Sequence, residues 1–401
     1  MSERKYRVLL VSSKPIQNAA SLRLMARHPK LDILVAYCSL PEAKTLHATY
    51  VQQSPEFLTQ AAFDIPLLEG YPWSYVPNLS PLPNIAKPYG LINPGLVKLV
   101  SNFDCCVVYG HAYISFWLVI AATKISRKPL LLTTDATYFE TPEGGNWRKP
   151  FKKRFLPYLY NQVADMVLVP STASKLFIHS LGVPENRIAI TPYVVDNDYI
   201  AEVALRSDRS SIRADWQIPE DASLVVFCAK FIPRKRPQDA IRAFAIANIL
   251  NSYLVMVGDG PLGESLKAEV EQLGIKDKVK FLGIVKYSYL PKVYAASDLL
   301  VFCSEHEPYG LPVNEAMICG VPVVVSDRIG ARYDLVESGK TGFVYPCGNI
   351  DTLAAILKDS LNNRETLKQM GEAARQRMET WSPRENVDGL VQAILAIHCV
   401  Y

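Results

Sequence analysis

The sequence predicts an α/β protein built from two doubly wound parallel sheets. Short, continuously apolar and β-branched runs recur along the whole chain, and amphipathic helical stretches separate them. The length of 401 residues also exceeds what one hydrophobic core usually fills. With 49% hydrophobic and 20% charged residues, the composition is that of a globular chain and excludes disorder or a coiled coil over its whole length.

The predicted strands form one series in each half of the chain. In the first half they are residues 7–12, 33–37, 105–109, 130–134, 166–169 and 188–191. In the second half they are residues 224–229, 253–257, 279–282, 299–302 and 321–326. Between strands, residues 238–250 and 264–273 have the spacing of amphipathic helices. Each series should form its own sheet, with a ligand crevice where the carboxyl ends of the two sheets face each other.

A polar stretch at 195–221, which contains RSDRSSIR, is predicted to join the two domains. A last helix is expected after Trp381-Ser382-Pro383, because proline suits the first turn of a helix. We therefore assign residues 1–195 plus 380–401 to an amino-terminal domain and residues 196–379 to a carboxyl-terminal domain.

Charge is unevenly distributed. Residues 1–200 carry 20 basic and 14 acidic side chains, whereas residues 201–401 carry 23 and 25. This excess favours a partner with phosphates or anionic lipid for the first half, but the net charge of +4 does not indicate nucleic acid. No apolar run approaches the roughly 18 residues of a membrane-spanning helix. The apolar run near the amino terminus is too short for a secretory signal. A cytoplasmic protein with reduced core cysteines is therefore expected.

Two segments depart from the alternating pattern. Residues 71–94 contain six prolines and are predicted to form a long, stiff loop. Residues 148–154, RKPFKKR, place five positive charges in seven positions next to Phe151, Phe155, Leu156 and Leu159. A helix over 151–163 would put these apolar side chains on one face, which suggests peripheral membrane contact through residues 148–160. The alternative is a helix packed on the sheet of its own domain.

Polar chemistry is densest in residues 301–326, VFCSEHEPYGLPVNEAMICGVPVVVS. Glu307 lies in the loop after a predicted strand, and Glu315 lies on a helix that should begin near Gly310. The free amides of a helix N-terminus bind phosphate well. A diphosphate held there would place a sugar near Glu307 and a ribose near Glu315, whose carboxylates accept hydrogen bonds from hydroxyls.

A basic segment follows another predicted strand. FCAKFIPRKRPQDAI, residues 227–241, contains Lys230 and the run Arg234-Lys235-Arg236. Cations at the carboxyl end of a parallel strand can neutralise a diphosphate leaving group.

These segments together resemble the family-four retaining glycosyltransferases, which belong to group 1 and have the two-domain GT-B fold. The resemblance extends from about residue 164 to residue 360. It is carried by VGDGP, FLG, LPKVYAASDLLVFCSE, the paired glutamates, EAMICGVPVVVSD and GKTGFVYP. It implies two Rossmann-like domains facing each other across a cleft and a retaining transfer from a nucleotide sugar, with no metal or other cofactor required.

The resemblance also implies a role for each matching residue. Lys230 and Lys235 would hold the diphosphate, Glu307 the donor-sugar hydroxyls and Glu315 the ribose. The amides of Gly310 and Leu311 would contact phosphate, and backbone near Ile284 would contact the base. In the first domain, VVYGHAYISF would place His111 near the reacting carbon of the donor sugar, so Glu307, His111 and Lys235 are the expected catalytic residues.

UDP-glucose is the expected donor, and the acceptor is expected to be a saccharide or lipid-linked molecule in polysaccharide or glycolipid synthesis. Asp196-Asn197-Asp198 spells the D-x-D metal motif of a different glycosyltransferase fold, but we do not expect a metal there. A nucleotide-dependent oxidoreductase is excluded, because residues 11–21 lack the G-x-G-x-x-G that should follow a first strand. A catalytically silent protein that only binds a sugar nucleotide stays an open alternative.

Overall fold

The computed structural model describes residues 5–15, 18–40, 64–139 and 149–398. Their contacts divide the chain into two compact units. The first lies within Met1–Lys44, Pro66–Asp196 and Trp381–Tyr401, and the second within Thr45–Ile65 and Asn197–Thr380. The sequence places the joins after residues 195 and 379, and the contacts place them after Asp196 and Thr380.

The first unit is built on one parallel sheet. Its strands are β1 (Tyr6–Ser12), β2 (Leu31–Tyr37), β3 (Trp73–Tyr75), β4 (Cys105–Val108), β5 (Leu130–Thr133), β6 (Met166–Val169) and β7 (Ile188–Ile190). Its helices are α1 (Ala19–Arg27), α2 (Gly95–Val100), α3 (Ile114–Ile125), α4 (Lys149–Tyr158), α5 (Thr172–Ser180) and α15 (Pro383–His398). The strands pair in the order β3-β2-β1-β4-β5-β6-β7.

Both faces of this sheet are buried. Along β1, Val8 and Leu10 pack in one hydrophobic cluster, and Leu9 and Val11 pack in another. The first cluster includes apolar residues of α1 and α15, which contact each other. The last helix of the chain therefore covers one face of the first sheet, which explains why residues after Trp381 return to the first unit.

The second unit repeats this architecture. Its strands are β8 (Ser223–Cys228), β9 (Ser252–Val257), β10 (Val279–Gly283), β11 (Leu299–Phe302), β12 (Val323–Ser326) and β13 (Gly342–Tyr345). Its helices are α6 (Asn197–Leu205), α7 (Arg209–Asp215), α8 (Pro237–Ala247), α9 (Gly263–Gln272), α10 (Leu290–Ala296), α11 (Leu311–Ile318), α12 (Arg332–Leu335), α13 (Ile350–Asn362) and α14 (Arg364–Glu379). The strands pair in parallel in the order β10-β9-β8-β11-β12-β13. Two doubly wound sheets are thus present, as the sequence predicts.

The structure adds two short strands to those predicted. Residues 73–75 lie in the proline-rich segment predicted to be a loop, yet they pair with β2 as the edge strand β3. Strand β13 pairs with β12 at the edge of the second sheet. Both are edge strands of three or four residues, too short for a clear alternating pattern.

The segment 151–163 is helical, as predicted, but its winding changes after Tyr158. Helix α4 ends at Tyr158, and the chain continues as a π-helical turn over Leu159–Val163. Pro157 lies inside α4 and cannot donate an amide hydrogen bond, which accounts for the change in winding next to it.

For two apolar residues of this segment, the alternative of packing on their own domain is correct. Leu156 and Leu159 are buried in the core of the first unit, where they pack with other apolar residues. Phe151 and Tyr158 remain exposed, by 67% and 60%. In the described part of the chain, no helix is long and apolar enough to cross a membrane.

The cysteines predicted to be core thiols are buried and form no disulfide. They are Cys38, Cys105, Cys106, Cys228 and Cys303.

Candidate functional site

The strand order of the second sheet marks where a ligand should bind. From β8 the chain first adds β9 and β10 on one side and then returns to add β11, β12 and β13 on the other. Ligands of doubly wound sheets bind at the carboxyl ends of the two strands that flank such a switch point. Lys230 follows β8 by two residues, and the loop that contains Glu307 follows β11. The predicted cations and carboxylate are thus brought to the switch point of this sheet.

The backbone of Glu307 is fixed at both its polar groups. Its N–H donates to the carbonyl of Arg328 at 3.2 Å, and its carbonyl accepts from the N–H of Gly330 at 2.9 Å. A Cβ atom on Gly330 would lie 1.9 Å from the carbonyl oxygen of Pro308. Glycine is therefore required at position 330 for the loop after β12 to hold the loop that carries Glu307.

The basic turn after β8 is tied to the same loop. Residues Pro233–Lys235 form one 3-10 turn. The carbonyl of Arg234 accepts from the N–H of Glu305 at 2.9 Å, and its guanidinium donates to the carbonyl of His306 at 2.8 Å. These contacts bring residues that are about 70 positions apart in sequence into one constellation.

Lys235 and Glu307 form an ion pair. Both side chains are largely buried, with 13% and 17% of their surfaces exposed. Arg234 adds a second cation, with its Nη1 at 3.7 Å from Oε2 of Glu307. Burial lowers the pKa of Lys235, and the Glu307 carboxylate opposes that shift. The ammonium group also lies 5.2 Å from the centre of the Phe302 ring. The pair thus keeps one cation and one carboxylate in a largely water-excluded position at the sheet edge.

Helix α11 begins beside this pair. Its N-cap is Gly310, in the left-handed region with φ of +110°, and Leu311 is its first residue. A Cβ on Gly310 would lie 3.0 Å from Phe302 and 3.1 Å from Ile329, so both the backbone angle and the packing favour glycine. First-turn amides have no acceptor within their own helix. Gly310 and Leu311 therefore offer the donor groups that suit a phosphate.

Glu315 lies on α11 and is buried, with 5% of its surface exposed. Its Oε2 accepts a hydrogen bond of 2.9 Å from the hydroxyl of Tyr294 on α10, which is fully buried. Burial raises the pKa of Glu315 to about 7, and the Tyr294 hydrogen bond partly opposes this rise. Glu315 is thus a carboxyl group whose charge changes close to neutral pH.

Two further predicted residues follow the carboxyl ends of β8 and β10, which β9 separates in the sheet. Lys230 is half-buried. Ile284 directly follows β10 and is 41% exposed. With Lys235, Glu307, Gly310, Leu311 and Glu315, all predicted donor-binding residues belong to the second unit.

His111 belongs to the first unit and lies between β4 and α3. Strands β1 and β4 flank the switch point of the first sheet, so His111 occupies the corresponding place there. Its ring centre lies 6.2 Å from those of Phe155 and Tyr160. Burial and the nearby charge of Lys152 lower its pKa, which favours the neutral imidazole.

Two residues of the site had no role assigned from the sequence. Tyr294 belongs to the segment LPKVYAASDLLVFCSE, but only the packing of α10 on α11 reveals its bond to Glu315, 21 residues away. Arg234 is part of the predicted basic run, yet its contact with Glu307 depends on the fold of two loops.

The D-x-D motif is split between two settings. Asp196 forms an ion pair of 3.3 Å with Arg23, whereas Asn197 and Asp198 lie in the first turn of α6.

Family models match both parts of the chain. The model described as glycosyl transferases group 1 matches residues 208–377, and the model described as glycosyltransferase family 4 matches residues 55–199. Together these ranges cover most of the sequence.

Curated relatives share about a third of their residues with the matched parts. N-acetyl-alpha-D-glucosaminyl L-malate synthase of Bacillus anthracis is 32% identical over 53% of this chain and 54% of its own length. Sulfoquinovosyl transferase SQD2 of Arabidopsis thaliana is 30% identical over 73% of this chain and 57% of its own length. The chain thus spans little more than half the length of these two relatives.

A solved structure shares the fold over nearly the whole chain. The crystal structure of Anabaena HepE in complex with UDP aligns with a TM-score of 0.72 at 21% identity, covering 98% of this chain and all of that one. A further structure of the same protein contains UDP-glucose.

Proposed function

Since the chain belongs to the group 1, family-four glycosyltransferases and has their two Rossmann-like sheets, we propose that it is a retaining hexosyltransferase that uses a nucleotide-sugar donor. The donor is UDP-glucose, and the acceptor is a saccharide or lipid-linked molecule in polysaccharide or glycolipid synthesis. The observation that carries this proposal is the switch point of the second sheet, where the ion pair of Lys235 and Glu307 lies beside the start of α11 and Lys230 follows β8. The UDP and UDP-glucose complexes of Anabaena HepE support the choice of donor.

Each group of the constellation suits one part of such a donor. Lys230, Lys235 and the amides of Gly310 and Leu311 bind the diphosphate, because cations and helix N-termini stabilise negative charge. Glu315 accepts hydrogen bonds from the ribose and Glu307 from the sugar, while backbone near Ile284 contacts the base.

Donor binding exchanges the partners of one ion pair. Lys235 and Glu307 hold each other in the structure, although the proposed roles assign Lys235 to phosphate and Glu307 to sugar hydroxyls. A bound donor offers both groups a partner of suitable charge at once. A nucleotide sugar thus offers a partner to each member of the ion pair.

Retention follows from departure and attack on the same face of the sugar. The bond between the anomeric carbon and the β-phosphate oxygen breaks, and the acceptor oxygen forms its bond to that carbon on the same side. The departing phosphate takes the acceptor proton, so UDP and the glycoside are the two products. Lys230 and Lys235 stabilise the developing phosphate charge, and His111 keeps the role near the reacting carbon that the family resemblance implies. Double displacement would require a carboxylate nucleophile, and Glu307 is already assigned to hydroxyl binding.

The reaction is proposed to need no metal, because the cations of the second unit and the α11 amides neutralise the leaving group. Activity should persist in EDTA. Loss of activity on chelation, with recovery in Mn²⁺ or Mg²⁺, would contradict this and would support Asp196 and Asp198 as metal ligands.

A cytoplasmic enzyme with peripheral contact to the membrane fits a lipid-linked acceptor. On α4, Phe151, Lys153, Arg154 and Tyr158 are exposed and combine aromatic with basic side chains. Such a surface can lie in the interface of an anionic membrane, where each nearby cation contributes about 1 kcal/mol.

The alternative is a catalytically silent protein that binds the nucleotide sugar without reaction. A donor assay separates the two, with UDP-glucose and other sugar nucleotides as donors, release of UDP as the readout, and mass spectrometry and NMR of the product. The proposal predicts UDP release that falls strongly in Glu307→Ala and a glycoside with the anomeric configuration of the donor. An inverted product would contradict retention, and donor binding without UDP release under any acceptor condition would support the silent alternative.

A further inference from the structure

A cavity lies on the side of the second sheet where its strands begin. It has a volume of about 420 Å³. Its walls include Ser223, Asp298 and Pro322, which lie at or directly before the first residues of β8, β11 and β12. These positions mark the amino-terminal edge of the parallel sheet, whereas the candidate donor-binding residues follow the carboxyl ends of the strands. The cavity is therefore separate from the proposed donor site.

Positive charge dominates the lining of this cavity. The basic side chains are Arg209, Arg364, Lys368 and Arg375, and the acidic ones are Asp298 and Glu372. Arg213, which is buried, adds its guanidinium behind the wall and pairs with Asp298 at 2.8 Å. Five cations thus face two carboxylates. Burial lowers the pKa of Arg213, and the charges of Arg209 and Arg364 lower it further, so these guanidinium groups lie close enough to repel one another.

Contacts within the protein satisfy only some of these cations. Arg213 donates to the carbonyl of Ala296 at 2.9 Å, and Arg209 donates to those of Ala295 and Ser297, so both satisfy the carboxyl-terminal end of α10. Both also pair with Asp298. Arg364 donates to the carbonyl of Asp221. These contacts account for three of the five cations.

The other two cations lie on the exposed face of α14. Lys368 and Arg375 are solvent-exposed, and within the described residues neither has an ion-pair or hydrogen-bond partner. Lys368 follows Arg364 by four residues, and Arg375 follows Lys368 by seven. All three cations therefore lie on one face of α14, and all three line the cavity. Their charge is available to a ligand.

We propose that this cavity is a second binding site, for a small molecule that bears a phosphate or diphosphate group. Its volume lies within the roughly 300–1,000 Å³ range of small-molecule sites. Its lining differs from that of a typical apolar pocket, because guanidinium and ammonium groups match phosphate oxygens in charge and hydrogen bonding. The proposal is independent of the function assigned to the donor site.

The cavity touches the helix whose other end forms part of the donor site. Cys319 and Gly320, which follow the last residue of α11, line it together with α14. The backbone of α14 packs tightly against this turn at Gly371, where a Cβ would lie 2.1 Å from the carbonyl oxygen of Gly320. An anion in the cavity therefore contacts both α14 and the carboxyl-terminal end of α11, while the amides of Gly310 and Leu311 lie at the opposite end of α11.

The test is a calorimetric titration of the full chain with pyrophosphate in the presence of saturating UDP, which occupies the donor site. The variant is Lys368→Ser with Arg375→Ser, and both positions are exposed, so its folding should match that of the wild type. The control is Lys358→Ser with Arg384→Ser, which removes the same charge from exposed positions of other helices. A second arm repeats the titration without UDP in Lys235→Ala, so that the result does not depend on UDP binding.

We expect pyrophosphate to bind the wild type and the control equally, and to bind the Lys368/Arg375 variant about tenfold more weakly or not at all. UDP affinity should be the same in all three proteins. No binding of pyrophosphate to the wild type in either arm, or equal binding to the variant and the control, would overturn the proposal. Failure of UDP to bind would count against the donor site alone.

Discussion

The buried environment of Glu315 should make ligand affinity at the proposed site depend on pH. Its carboxyl is buried, and its pKa is raised to about 7 from an ordinary value of 4.5. The ionised form accepts hydrogen bonds from ribose hydroxyls without donating one, so it is the form suited to the proposed role. The affinity for a UDP-sugar, whose phosphates do not titrate near neutrality, should rise between about pH 6 and pH 8. In Glu315→Gln this rise should be absent; the same pH dependence in wild type and variant would contradict the assignment.

The raised pKa of Glu315 affects stability in a defined direction. Between pH 4.5 and about 7 the folded protein holds a proton on Glu315 that the unfolded chain has released. The free energy of unfolding should therefore fall as the pH rises through this window. The full loss is of the order of 3 kcal/mol, because a tenfold change in proton affinity corresponds to about 1.4 kcal/mol. Urea unfolding of wild type and Glu315→Gln at pH 5 and pH 8 tests this, and a smaller pH-dependent loss in Glu315→Gln is expected.

Tyr294 should act through Glu315 as a positioning residue. Its hydrogen bond favours the ionised carboxylate, so Tyr294→Phe should raise the pKa of Glu315 further and move the pH dependence of UDP-sugar affinity to more alkaline values. A charged hydrogen bond contributes roughly 1.5–3 kcal/mol, which corresponds to about one to two pH units. Tyr253→Phe, on β9, is the matched control. A uniform loss of affinity at every pH would indicate a structural role only.

At the scale of elements, the loop after β12 determines where Glu307 lies. Gly330→Ala would drive a Cβ into the carbonyl of Pro308, and overpacking of this kind costs about 1–3 kcal/mol. We expect a lower midpoint of thermal unfolding and a loss of transferase activity larger than the loss of UDP affinity. Gly263→Ala is the control, because a Cβ there makes only ordinary contacts, the nearest at 3.4 Å. Full activity in Gly330→Ala would show that the loop position is unimportant.

Helix α4 carries the proposed membrane contact. Phe151→Ser, Lys153→Ser and Arg154→Ser together should reduce co-sedimentation with anionic liposomes, and high salt should do the same to the wild type. Leu205→Ser with Arg206→Ser removes the exposed last residue of α6 and the exposed residue after it, and should have no effect. Absence of liposome binding, or binding that neither salt nor the α4 substitutions change, would contradict the proposed membrane contact through α4.

Local sequence patterns predicted the type of most helices and strands correctly, but they did not predict where these elements end or which elements contact each other. Both sheets were predictable because their central strands are buried on both faces and read as continuous apolar runs, such as residues 224–228. The three-residue strand β3 has too few positions for a pattern, and it lies between Pro72 and Pro77 in a proline-rich segment. In residues 151–159, the spacing of Phe151, Leu156 and Leu159 is helical, but the packing of the rest of the unit decides which of these side chains meet solvent and which meet the core.

At the scale of the whole molecule, two similar units carry different parts of the proposed chemistry. The first holds His111 and the basic helix α4, and the second holds the lysines, the glutamates and the cavity at the amino-terminal edge. Sequence motifs identified Glu307 and Lys235 separately, because each follows its own strand. Their ion pair, and the Tyr294 contact with Glu315, arise only when loops or helices distant in sequence pack together.

The central claim is that the second unit binds the nucleotide diphosphate of the donor, and calorimetric titration with UDP at pH 8 tests it most directly. The wild type and the exposed-lysine control Lys358→Ala should bind UDP with equal affinity. Lys235→Ala and Glu315→Ala each remove a charged partner worth roughly 1.5–3 kcal/mol, so they should weaken binding by about 10- to 150-fold. Glu307→Ala should spare UDP, because its proposed partner is the sugar. Absence of UDP binding in the wild type, or unchanged affinity in both Lys235→Ala and Glu315→Ala, would contradict the claim.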